Sequence, residues 1–104
     1  MREFHHWGMP TTEKQAGEVY VPATKVWVTN PDDHPQRIEF LRYEPDSPVT
    51  GILHDMPHVA FKTDNLQREI EGLEIVAPPF VPMPGLTVVF VMKDGALTEF
   101  MQWD

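Results

Sequence analysis

Apolar and polar side chains alternate with a period of two over much of this chain, the pattern of strands that bury one face. Residues 3–9 put Phe4, His6 and Gly8 on one face and His5, Trp7 and Met9 on the other. Residues 10–18, with Pro10, Gly17 and several charges, read as a loop. Val19–Val21 is a short extended piece, and Lys25–Thr29 is a β-branched and aromatic run of strand type. Asn30 to Pro35 is dense in turn formers and delivers the chain to a strand over Arg37–Tyr43. Glu44–Asp55, holding Pro45, Asp46, Ser47, Pro48 and Gly51, is expected to be a connector.

A second strand series opens at Met56–Phe61. The period of 3.6 then occurs once, in Leu66, Ile70 and Leu73 at i, i+4 and i+7, which predicts one amphipathic helix of about two turns. Asp64 is its expected N-cap, with Gln67 three residues on completing a capping box, and Gly72 is the end signal. Leu73–Val76 reads as a short strand, and the proline-rich Ala77–Gly85 as a loop able to fold over a site as a lid. Leu86–Met92 is the most apolar strand; Lys93-Asp94-Gly95 is its hairpin turn, and Ala96–Trp103 returns.

Composition narrows this picture. At 104 residues the expectation is a single domain, and 11 prolines argue against long helices. Sixteen acidic against 8 basic residues, a formal charge of −8, oppose attraction to nucleic acid or anionic lipid. With no cysteine, disulfides, thiolate zinc sites and thiol nucleophiles are out, so a metal must sit on His and carboxylate ligands. The start, Met1 to His6, lacks the apolar core of a signal peptide, and no run approaches the roughly 18 apolar residues of a spanning helix. A soluble, cytoplasmic protein is expected.

The two halves, 1–48 and 49–104, rhyme. Glu39-Phe40-Leu41-Arg42-Tyr43 matches Glu99-Phe100-Met101-Gln102-Trp103 in size and polarity, and His6-Trp7-Gly8-Met9-Pro10-Thr11 matches His58-Val59-Ala60-Phe61-Lys62-Thr63. Each half thus contributes one His on its first strand and one Glu on its last. A Glu set among apolar strand residues costs several kcal/mol to bury unless paired or metal-bound, and here it occurs twice. Alternation puts Glu39, Leu41 and Tyr43 on one face, and Glu99, Met101 and Trp103 on the equivalent one. Tyr43, Met101 and Trp103 are therefore the candidate substrate-contacting residues, while Gly8 and Ala60 leave room beside the histidines. The plainer alternative for each Glu is a salt bridge to Arg37, Arg42 or Lys25, which leaves the twin histidines unexplained. His5 is on the other face from His6. His34 and His54 fall in turn-rich stretches where solvated histidines are expected, and Pro57 breaks any helix that would align His54 with His58.

Two β-α-β-β-β modules with His on the first strand and Glu on the last resemble the vicinal-oxygen-chelate (glyoxalase/bleomycin-resistance/dioxygenase) superfamily over nearly the whole chain. The stretch Pro57 to Leu66 is especially similar to that family's second-module opening. The resemblance implies an α+β fold whose modules form a curved, partly closed mixed sheet, the first module here lacking a clear helix. It also implies a metal set of His6, Glu39, His58 and Glu99. A His₂Glu₂ set suits Zn, Ni, Mn, Co or Fe as a divalent ion. By the same resemblance the ion acts as a Lewis acid on two adjacent substrate oxygens, and Glu39 or Glu99 is the catalytic base of a lyase or isomerase. The alternative is a metal-free, bleomycin-resistance-like protein that only binds a small molecule. The missing helix leaves the back of Phe40 bare, so a homodimer contact is expected there.

Overall fold

The computed structural model describes residues 2–104. Its strands are β1 (Arg2–Pro10), β2 (Val19–Val21), β3 (Val26–Val28), β4 (Ile38–Tyr43), β5 (His58–Thr63), β6 (Glu74–Met83), β7 (Leu86–Lys93) and β8 (Ala96–Trp103). Between them lie a 3-10 turn at Pro31–Asp33 and two short helices, α1 (Ile52–Asp55) and α2 (Leu66–Ile70). The content is α+β, mostly sheet. The chain divides into two compact units, residues 6–57 and residues 58–104 joined by the start of β1.

Each unit repeats one topology. In the 6–57 unit the order is β2-β3-β4-β1, with β1 parallel to β4 and the other pairs antiparallel. In the 58–104 unit it is β5-β8-β7-β6, with β5 parallel to β8 and the other pairs antiparallel. The register repeats as well. Gly8 pairs with Glu39 and Met9 with Phe40; Ala60 pairs with Glu99 and Phe61 with Phe100. The rhyme in the sequence is therefore a rhyme in hydrogen-bonded position, two residues past each repeated histidine.

The 58–104 unit has an apolar cluster on each side of its sheet, as period-2 alternation requires. Leu66, Ile70 and Leu73 lay the α2 segment over Phe61, Val89, Val91 and Phe100, with Phe100 wholly buried. On the other side Ala60, Leu86, Val88 and Met101 pack together against Phe90. Ala60 itself is wholly buried in this cluster.

Three element assignments change. Ala77–Gly85 is not a loop or lid: most of it belongs to β6, a ten-residue strand paired with β7. Pro78, Pro79 and Pro82 are tolerated because β6 is the last strand in its unit's order and its pairing shifts register three times. The N-cap of α2 is Asn65, not Asp64; the Asn65 side chain accepts from the Arg68 backbone N–H, so no capping box forms. Finally, the 44–55 connector ends in α1, one turn that opens at Gly51 with φ 71°. The Asp94-Gly95 hairpin is as expected, both residues having positive φ (54° and 77°).

In the 6–57 unit no α-helix stands between β1 and β2. The 11–18 segment is instead tied down by Glu18, whose carboxylate meets the Arg42 guanidinium at both oxygens and accepts from the Gln15 backbone N–H at 3.2 Å. Ser47 Oγ donates to the Thr24 carbonyl at 2.6 Å and fixes the exit of β4.

Candidate metal-ligating site

The repeated histidines are both deeply buried, His6 at 3% and His58 at 5% exposure. Burial of an imidazole is costly unless its nitrogens have partners, and each unit sets a carboxylate near its own histidine from its last strand. His6 Nε2 lies 3.4 Å from Glu39 Oε1, and His58 Nε2 lies 3.2 Å from Glu99 Oε1. Parallel pairing of first and last strand brings them together, with each Glu two residues further along the register than its His. The same chemical pair is thus built twice, once in each unit.

The two pairs differ in environment. The Glu39 side chain is 24% exposed and the Glu99 side chain 11%. The Phe90 ring meets the His58 imidazole edge-to-face at 5.1 Å between centroids, which fixes its plane. Arg37 pairs with Asp32, Arg42 with Glu18 and Lys25 with Asp46, so each of these cations has an acidic partner of its own.

The spacing within each pair fits two donors on one ion. Zn–N and Zn–O bonds near 2.1 Å at a tetrahedral angle put neighbouring donors about 3.4 Å apart, and a right angle about 3.0 Å apart. A direct N–H···O hydrogen bond would close to about 2.9 Å. His6, Glu39, His58 and Glu99 are donor types that divalent transition metals accept.

The other expected contact residues divide. Tyr43 lines an open cavity of about 460 Å³ with Pro10, Thr11, Thr12, Glu13, Leu41, His54 and Asp55. Met101 is a core residue, 6% exposed and packed with Ala60, Leu86 and Val88. Trp103 is exposed and lines a separate cavity of about 440 Å³ with Glu3, Lys62, Thr63 and Asp64. His5 lies on the other face of β1 from His6, His34 Nδ1 accepts from the Gln36 backbone N–H, and His54 stands on α1 stacked against Tyr43. That stacking was invisible in the sequence, because α1 is a single turn without a periodic signal.

No family model matches the chain, and no curated protein matches it. Among solved structures, it is similar to a hypothetical protein from Bacillus halodurans C-125, with TM-score 0.72 and 19% identity over 99% of this chain and 95% of that one. This likeness concerns the fold. Among the described residues, no helix is long and apolar enough to cross a membrane.

Proposed function

We propose that this chain is a glyoxalase-like, metal-dependent lyase or isomerase of the vicinal-oxygen-chelate type, in which His6, Glu39, His58 and Glu99 share one divalent cation. The carrying observation is the duplicated His–Glu pair: the same residue types at the same register, with nitrogen–oxygen separations of 3.4 and 3.2 Å. Packing alone gives no reason to bury such a pair twice, and the donor spacing suits ligands of a single ion. When bound, the cation would supply Lewis acidity toward two adjacent oxygens of a small-molecule substrate.

The chain's own groups divide the remaining work. Glu39 is the more exposed of the two carboxylates and sits on the face of β4 that continues through Leu41 and Tyr43 into the 460 Å³ cavity. It is the carboxylate a substrate can reach, so Glu39 takes the proton from the carbon beside the carbonyl. The more buried Glu99 holds His58 in place. His6 and His58, shielded from water, keep the site low in dielectric, which strengthens every charge interaction within it.

Purified protein stripped by chelation and refilled with Zn, Mn, Ni, Co or Fe is expected to hold one equivalent per chain, measured by elemental analysis. His58→Ala and Glu99→Ala should each lower that content sharply; content untouched by both would remove the metal reading. Loaded protein should also wash solvent deuterium into the carbon positions of dihydroxyacetone, followed by NMR. Glu39→Gln should slow that exchange by about 10²–10⁴-fold while retaining most of the metal. Specific small-molecule binding by a protein that takes up no metal would favour the bleomycin-resistance-like alternative.

A further inference from the structure

The cavity at the end of β4 has a wall and a charge that select a ligand class. Leu41 and Tyr43 follow Glu39 at two-residue steps on one strand face, so Tyr43 lies about 13 Å along the strand from Glu39. Its ring stacks with the His54 ring at 4.7 Å and 29°, giving the cavity a flat aromatic wall. The Tyr43 hydroxyl donates to the Leu53 carbonyl at 3.4 Å, and His54 Nδ1 is 2.7 Å from Asp55 Oδ1, so α1 sets both rings. Among the described residues, the carboxylates lining the cavity are Glu13 and Asp55, His54 is its imidazole, and no Lys or Arg side chain lines it. Its volume of about 460 Å³ is within the range of small-molecule sites.

We propose that this cavity is the specificity pocket of the Glu39 site, and that it takes the flat, neutral or cationic end of the substrate while rejecting anionic groups. The proposal rests on the reading of Glu39 as part of the reacting centre, but the pocket itself belongs wholly to the 6–57 unit. An aromatic wall attracts a planar cation through the ring quadrupole, and two carboxylates at the rim add Coulomb attraction. A carboxylate or phosphate would meet like charge at Glu13 and Asp55, and His54, the basic side chain of the described lining, already faces the Asp55 carboxylate. The distance from Glu39 to Tyr43 further implies a substrate longer than a three-carbon unit, with its paired oxygens at one end and its flat part at the other.

Benzamidine, benzamide and benzoate share a ring and carry charges of opposite sign or none, so they separate shape from charge. Titrated into chelator-treated protein and followed by backbone amide shifts, benzamidine is expected to bind at least tenfold tighter than benzoate, with the shifts centred on Thr11, Thr12, Tyr43 and His54. Glu13→Gln combined with Asp55→Asn should bring the three ligands within about twofold of one another. Tyr43→Ala should weaken benzamidine about tenfold, whereas Tyr43→Phe, which keeps the ring, should retain it. Benzoate binding as tightly as benzamidine, or shifts lying elsewhere, would overturn the proposal. Metal uptake is measured on a portion of the same preparation refilled with Zn²⁺ after chelation: a protein that takes up no metal yet keeps the charge series loses the catalytic reading and keeps the pocket.

Discussion

Glu18 shows how one carboxylate can stand in for a missing element. Its side chain is only 4% exposed, and the Arg42 guanidinium that holds it also lies over the Trp27 ring, 5.3 Å from its centroid. Hydrogen bonding from Arg42 lowers the Glu18 pKa, against the opposing effect of burial, and the Gln15 backbone N–H adds to the lowering. A carboxyl whose pKa is depressed in the folded state contributes stability above its ordinary value, about 4.3, and loses it as pH falls through the folded value. Thermal unfolding followed from pH 7 to pH 3 should therefore show Glu18→Gln with a lower Tm at pH 7 and a shallower fall across the acid limb. Equal acid slopes for the two proteins would mean that this ion pair does not hold the 11–18 segment. Asp46, lowered by its hydrogen bond with Lys25, is far more exposed, so removing it should change the acid limb much less.

The helix α2 marks the main difference between the units, and it governs how equivalent phenylalanines behave. Phe100 is wholly buried under Leu66, Ile70 and Leu73, whereas its counterpart Phe40 is only half-buried beside a cavity of about 200 Å³ lined by Gln15, Ala16, Gly17 and His34 among others. Phe100→Ala is expected to cost about 3–5 kcal/mol in denaturant unfolding, and Phe40→Ala clearly less. A similar cost for both would mean that the Phe40 side is covered in solution, as the homodimer reading holds, and the mass by light scattering would then be that of two chains. This is also the scale at which the sequence was least readable. Strands with alternating faces, the Asp94-Gly95 hairpin and the Leu66-Ile70-Leu73 stripe were legible, because each is written in local spacing. The β6 strand was not, since three prolines read as loop until an edge position makes their missing donors harmless. The N-cap fell one residue late because Asp64 and Asn65 are both good caps and only the fold chooses between them. The His–Glu pairs were legible through repetition, while the burial of Met101 in the apolar cluster was not, because sharing a strand face with Glu99 does not tell how deeply a position is packed.

At the scale of the whole molecule, the proposed metal reading has a consequence: on it, duplication leaves neither unit with a complete ligand set of its own. Each supplies one His and one Glu, two donors, whereas a transition metal asks for about four, including water. Linkage turns this into a measurement. An ion that binds only the folded chain stabilises it by about 2.7 kcal/mol at a hundredfold excess over its Kd. For a domain of roughly 100 residues that corresponds to a Tm rise of about 10–20 °C. If both pairs serve a single ion, His6→Ala and His58→Ala should each abolish most of the rise, since either change leaves three of four donors and weakens affinity steeply. If instead each pair binds its own ion weakly, each variant should keep about half of the rise and wild type should bind two equivalents. Thermal scans of the three proteins against Zn²⁺ concentration separate these outcomes, and retention of half the shift in both variants would mean two independent half-sites, leaving no shared centre to act on adjacent oxygens.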